Sequence, residues 1–215
     1  MGRHPTGSCG WGGALGFAAM EPDALLPDPD LELDRFNPLL VTVDGVLSTE
    51  ACTALIARIE AEGPTAAPIT TARGFVMRPD IRNNTRVMFD DAALAGLLFE
   101  RVRAALPERL EGGWWVCGAN ERLRCYRYEP GQYFAPHDDG RYRRSDDEAS
   151  LLTLMVYLNE CPGGGATNFL DIKRSVTPKP GRALLFNHHL LHEGAVVTSG
   201  VKYVLRSDVM YRRTA

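Results

Sequence analysis

Two residues in the run RLRCYRYEPGQYFAPHDD (122–139) have the types and spacing to hold a metal ion together, His137 and Asp139. In an extended backbone residues i and i+2 point to the same side, so an imidazole and a carboxylate placed this way can reach one ion. Two donors do not make a site. A third is offered by FNHHLLHEG (186–194), where His192 follows an apolar run and precedes another strand-like segment. Two histidines and one carboxylate on one face are a ligand set that holds non-haem Fe(II) and leaves coordination positions open, although zinc or manganese can use it too. Asp138 is the rival carboxylate, but its neighbouring position points it to the opposite face, where it reads as solvated. His188 and His189 compete with His192; both lie earlier in the apolar turn and read as structural or supporting groups.

The elements that must position these groups are mostly strands. From Trp114 onward WWVCG, RLRCYRY, LLTLMVYLN, RALLFN and KYVLRSDVMY are rich in Val, Leu, Tyr and Phe and are separated by Gly and Pro turns. Before them, Leu39 to Val43 reads as a strand, followed by a helix with Ser48 as N-cap and apolar residues at Cys52, Leu55, Ile56 and Ile59, ended by Gly63. Residues 64 to 90 read as short strands with a mobile loop; within them ARGFVMRPDIRNN is a connecting loop or a cover over substrate. A second helix is predicted from Asp91 to Leu106, with Leu94, Leu97, Leu98, Val102 and Leu106 on one stripe and Pro107 closing it. Short strands after two helices imply a mainly β fold with supporting helices packed on one sheet of a sandwich or barrel. The chain divides into a leader or arm at 1–38, partly disordered, and a single domain at 39–213, with helical support at 39–113 and the β core at 114–213.

Composition narrows the function classes. The chain has 215 residues and a formal net charge of -3, which gives no electrostatic footprint for nucleic acid or anionic membrane. No apolar run approaches the ~20 residues of a transmembrane helix. The five cysteines, Cys9, Cys52, Cys117, Cys125 and Cys161, are scattered without C-x-x-C, which argues against a disulfide framework and for a reducing, cytoplasmic setting. The first twenty residues lack the layout of a secretory signal; their Met-Gly-x-x-x-Thr match to a myristoylation motif is short, and Met20 is an alternative start. Gly163-Gly164-Gly165 follows a strand but precedes no Lys-Ser/Thr or helix pattern, so it reads as a turn rather than a phosphate loop. Arg141 to Arg144 with Asp146, Asp147 and Glu148 read as a solvated loop, with a substrate-facing lid the alternative, and Trp114, Trp115 and Tyr157 as core.

Taken in order, YEPGQYFAPHDD, LLTLMVYLNECPGGGATNF, PKPGRALLFNHHLLHEG and GVKYVLRSDVMY resemble the prolyl-4-hydroxylase-like family of Fe(II)/2-oxoglutarate-dependent dioxygenases over roughly residues 119 to 211. VTVDGVLSTEACTALIARIE resembles the strand and helix that lead into the family's core. The resemblance implies a double-stranded β-helix (jelly-roll, cupin-like) with iron near one mouth. It implies His137, Asp139 and His192 as iron ligands and centre of catalysis, with Fe(II), 2-oxoglutarate and O2 as cofactors and ascorbate as an optional one. The co-substrate's distal carboxylate requires a cation on the strand after the distal histidine. Lys202, ten residues after His192, is the first choice and Arg206, on the same strand face, the second; Arg206 could instead pair with Asp208. Ten residues after His188 and His189 stand Thr198 and Ser199, neither a cation. Thr153 and one of Tyr126 and Tyr128 match positions that help to hold the co-substrate. Tyr128 is favoured by spacing, but an extra residue between GQY and His137 leaves the two tyrosines unseparated.

The implied activity is hydroxylation of an unactivated C–H bond, first of a prolyl or other side chain in a peptide or protein, with release of succinate and CO2. An intact Asp139 favours hydroxylation over halogenation, whose catalysts lack this carboxylate. Nothing in the chain matches the peptide-binding module of hydroxylases acting on long repetitive chains, so a free amino acid or small metabolite is the alternative substrate. A non-catalytic β-helix metal-binding or scaffold protein is the alternative from another class. Neither nucleic acid nor membrane is expected as a partner, and demethylation of nucleic acid is disfavoured by the missing basic groove.

Overall fold

The computed structural model describes residues 24–28, 30–71 and 74–213. The readings of residues 1–20, including the alternative start and the myristoylation motif, lie outside them.

Alternation along the terminal strand, Lys202–Arg213, explains the architecture. Tyr203, Leu205 and Val209 join the main apolar cluster on one face, while Lys202, Val204 and Arg206 line a pocket on the other. The strand lies in the middle of an antiparallel nine-stranded sheet. On one side follow Glu148–Tyr157, Ala183–Asn187 and Leu40–Val43; on the other Arg122–Tyr128, Thr85–Asp90 and Thr65–Ala66. Trp114–Ala119 pairs with the far end of the terminal strand and with Arg109–Leu110. A second, four-stranded antiparallel sheet runs Arg174–Val176, Thr167–Phe169, His192–Gly194, Phe134–His137. The pocket lies between the sheets, lined by side chains of both, in a jelly-roll arrangement. The pairing of Glu148–Tyr157 with the terminal strand slips by one residue between Ser150 and Leu152.

Away from the pocket, Leu123, Cys125, Leu152, Leu154 and Leu205 cluster with helix residues Cys52, Ile59, Ala95, Leu98, Phe99 and Val102. The first helix, Thr49–Glu62, begins where Ser48 accepts the Ala51 amide and ends at Gly63 with φ +70°. The second is shorter than its sequence suggests: Ala92–Val102, capped by Asp91 through the Leu94 amide and followed by a 3-10 turn at Arg103–Ala105. Its buried face is Ala95, Leu98, Phe99 and Val102, a spacing of three, four and seven, while Leu97, predicted on the stripe, is 42% exposed. Leu98, Val102 and Leu106 of the predicted stripe are buried and Leu94 packs against them, so only Leu97 departs from it, while Ala95 and Phe99 complete the contact. The four described cysteines, Cys52, Cys117, Cys125 and Cys161, are free thiols. Among the described residues no helix is long and apolar enough to cross a membrane.

The arm reaches the sheet through a Leu25–Leu40 bridge. Asp34 accepts the amides of Phe36 and Asn37, and the Asn37 side chain donates to the Asp28, Leu31 and Glu32 carbonyls.

Leu154 is fully buried. Leu154→Ala is expected to lower the unfolding free energy by roughly 2–5 kcal/mol, read as a lower urea midpoint at unchanged m-value.

Candidate metal and co-substrate site

His137 ends one strand of the smaller sheet and His192 begins its neighbour; the two face each other directly in the register. Their rings are 4.3 Å apart between centroids. Asp139 follows two residues after His137 and is tied down by its amide, which donates to the His188 carbonyl at 2.9 Å. One ligand atom each from His137, Asp139 and His192 lies within 4.8 Å of the others. Each histidine has Nδ1 2.8 Å from the carbonyl two residues back, Ala135 or Leu190. A carbonyl accepts only, so Nδ1 carries the proton and Nε2 keeps its lone pair for a ligand. Both Nε2 atoms stand 3.8 Å from an Asp139 oxygen. Burial, reinforced by His192, pushes His137 down to about 3, so it is neutral at physiological pH, as a ligand must be. Phe134 stacks on His137 at 3.5 Å, fixing the ring plane. Two imidazoles and one ionised carboxylate converging on one point fit a divalent ion such as Fe(II).

Burial alone would raise the Asp139 carboxyl, but the Arg206 guanidinium at 3.0 Å and the neighbouring imidazoles hold it well below the usual carboxylate range. Its other oxygen accepts from Thr153 Oγ1 at 2.5 Å. That hydroxyl spends its only proton there, so it accepts from His188 Nδ1 at 3.0 Å; His188 Nε2 then accepts from Ser150 Oγ at 2.9 Å, which accepts the Tyr142 amide at 2.8 Å. The donors run in one direction from Tyr142 to Asp139. Burial pushes His188 down to about 4, consistent with a neutral ring bonded on both sides. His188 is therefore outside the ligand cluster, His189 and Asp138 are exposed, and the Asp139 oxygens are oriented from two sides.

Across the pocket Lys202 is 2% exposed and pairs with no carboxylate among the described residues. Burial pushes it down to about 8. Its Nζ sits 5.1 Å from the Tyr128 ring centroid and 5.6 Å from that of Tyr157. Tyr128 is its direct cross-strand neighbour, whereas Tyr126 lies opposite Val204. Both tyrosines, Thr153 and Arg206 line the same pocket, and Arg206 also approaches Asp208, at 3.5 Å. Met155, Thr167, Phe186, Gly194 and Val204 also line it and were not singled out by sequence reasoning. A more consequential omission is Arg82, buried beside Tyr126 and Phe134.

Residues 123–207 match the model of the 2OG-Fe(II) oxygenase superfamily. A putative prolyl 4-hydroxylase of Acanthamoeba polyphaga mimivirus is 31% identical over 102 residues, 39% of this chain and 42% of the relative. A probable prolyl 4-hydroxylase of Arabidopsis thaliana is 40% identical over 73 residues, 31% of this chain and 24% of the relative. The chain thus spans less than half the length of either. The crystal structure of a viral collagen prolyl hydroxylase from Paramecium bursaria Chlorella virus-1, in its 2OG complex, superposes with TM-score 0.60 at 26% identity, covering 80% of this chain and 96% of that one. A Pseudomonas putida prolyl-4-hydroxylase shares the fold, with TM-score 0.59 at 20% identity over 82% and 93% of the two chains. Over residues 123–207 the chain is similar to the 2OG-Fe(II) oxygenase superfamily, and the relatives and solved structures it resembles are prolyl hydroxylases.

Thr153→Val removes a donor to buried Asp139 and an acceptor from buried His188 at nearly constant volume. It is expected to cost roughly 1–3 kcal/mol of stability in urea denaturation, and Thr153→Ser to recover most of it.

Proposed function

We propose that this protein is a 2-oxoglutarate-dependent dioxygenase that hydroxylates an unactivated C–H bond in a prolyl or other side chain of a peptide or protein. The observation that carries the reading is a His-Asp-His cluster able to hold a divalent ion, lining the same pocket as a buried lysine with no carboxylate partner among the described residues. Bound iron, with 2-oxoglutarate as co-substrate, supplies the oxidation of substrate by O2, giving hydroxylated product, succinate and CO2.

The chain's own share is binding and orientation. His137, Asp139 and His192 hold the ion. Lys202 takes the distal carboxylate of 2-oxoglutarate, with Tyr128 beside it, and Thr153 orients Asp139 at the ligand end. Arg206 steadies the carboxylate ligand, and the apolar lining from Phe134, Met155 and Phe186 excludes water. The prolyl side chain as target rests on the similarity to prolyl 4-hydroxylases.

Anaerobic mixing of the purified protein with Fe(II) and 2-oxoglutarate is expected to give a weak visible charge-transfer band, lost in His137→Ala, and succinate on admission of oxygen. Metal bound without band or succinate would remove the oxygenase reading and bring forward a non-catalytic metal-binding protein.

Lys202 predicts a pH dependence. The ammonium is present below about 8, so 2-oxoglutarate affinity is expected to be full there and to fall as pH rises through that value. Lys202→Met should weaken binding by roughly tenfold to a hundredfold at neutral pH and flatten the profile in calorimetric titrations.

A further inference from the structure

Beside the metal pocket two guanidinium groups pair with no carboxylate among the described residues. Arg82 is 5% exposed; its Nε donates to Asn84 Oδ1 at 2.7 Å, and its Nη2 has no hydrogen-bond partner. The group stands 4.3 Å from the ring centroids of both Tyr126 and Phe134, two residues of the pocket wall. Arg86 lies opposite Tyr126 in the strand register and so comes off the same sheet face, 5.6 Å over the Phe75 ring.

The other arginines nearby are occupied. Arg122 pairs with Asp90, Arg144 with Glu121, and Arg124 with Asp208, while Arg206 faces Asp139 and Asp208. The Tyr126 hydroxyl registers the remaining positive field: burial would raise it, yet Arg82, Arg206 and Arg124 hold it below its ordinary value. Arg86 also lines a groove of about 300 Å3 with the exposed apolar side chains Phe75 and Met88. The cross-strand row Met155, Arg206, Arg124, Met88 leads along one sheet face from the metal pocket into that groove.

We propose that Arg82 and Arg86 form an anion subsite that takes a carboxylate of the substrate, so the oxidised substrate is acidic close to its reacting carbon. The proposal rests on the dioxygenase reading, which makes the substrate a peptide or an amino acid; its anionic group is then a carboxylate, from an acidic side chain or from a free amino acid. A buried guanidinium with an unmade hydrogen bond is costly, and a carboxylate is the ligand whose fork geometry matches it. The apolar rim at Phe75 and Met88 accommodates the uncharged remainder.

Calorimetric titration of the full chain, with Mn(II) and saturating 2-oxoglutarate so that the co-substrate's own subsite is filled, tests this with matched pairs. One pair is a proline-containing peptide with glutamates flanking the proline and its glutamine twin; the other is free glutamate and glutamine. The acidic member of one pair is expected to bind about tenfold tighter or better, and the pair that shows it identifies the source of the carboxylate. Arg86→Gln should abolish the preference, and Arg82→Lys, which keeps the buried charge but loses the fork, should reduce it. Equal affinities within both pairs, no binding by any of the four, or a preference surviving in both variants would overturn the subsite. The charge-transfer band of the same protein loaded anaerobically with Fe(II) instead of Mn(II) separates the failures: a preference without the band removes only the dioxygenase reading, and the band without a preference removes only this one.

Discussion

A carboxylate has to stay ionised inside a pocket that excludes most water, and much of the structure around Asp139 answers that requirement. Burial works against the charge. An arginine on the neighbouring sheet, a threonine hydroxyl and two imidazoles outweigh it, each held by a different strand. Removing one of these partners leaves the others with an uncompensated buried group, so they behave as one unit rather than as independent contacts.

The two sheets divide the labour. The smaller contributes both histidines through a single cross-strand pair, which fixes their separation by backbone register rather than by side-chain packing. The larger contributes the polar wall, Lys202, Arg206, Thr153 and both tyrosines, from the face that the helices do not cover. Hydrophobic packing on the outer face therefore sets which side chains stand in the pocket, because alternation leaves no other choice to a strand whose odd positions are core.

That logic also sets what could be read from the chain. That His137 and Asp139 converge, and that Lys202 and Arg206 share a face, was legible because two- and four-residue spacings translate directly into a strand face; His192 and the role of Lys202 came with the family resemblance. The strands themselves were legible from β-branched and aromatic runs bounded by Gly and Pro. Separating Tyr126 from Tyr128 needed the register with the terminal strand, which no local pattern carries. Arg82 lay inside the stretch read as a loop or a cover over substrate, but its own surroundings were not legible, for a related reason. It sits in an aperiodic loop and gains its surroundings only when that loop forms a bridge to Phe134. Leu97 misled because helix periodicity gives a stripe but not where its edge falls.

The slip between Ser150 and Leu152 has a consequence in parity. In an unbroken strand Ser150 and Thr153, an odd number of positions apart, would project to opposite sides and could not both grip one imidazole. The single surplus residue restores them to the same side, so that one hydroxyl meets each nitrogen of His188. The relay from the Tyr142 amide to the Asp139 carboxylate thus exists because the strand miscounts by one. A deletion that tidied the strand would cut that relay while leaving every one of its side chains in the sequence.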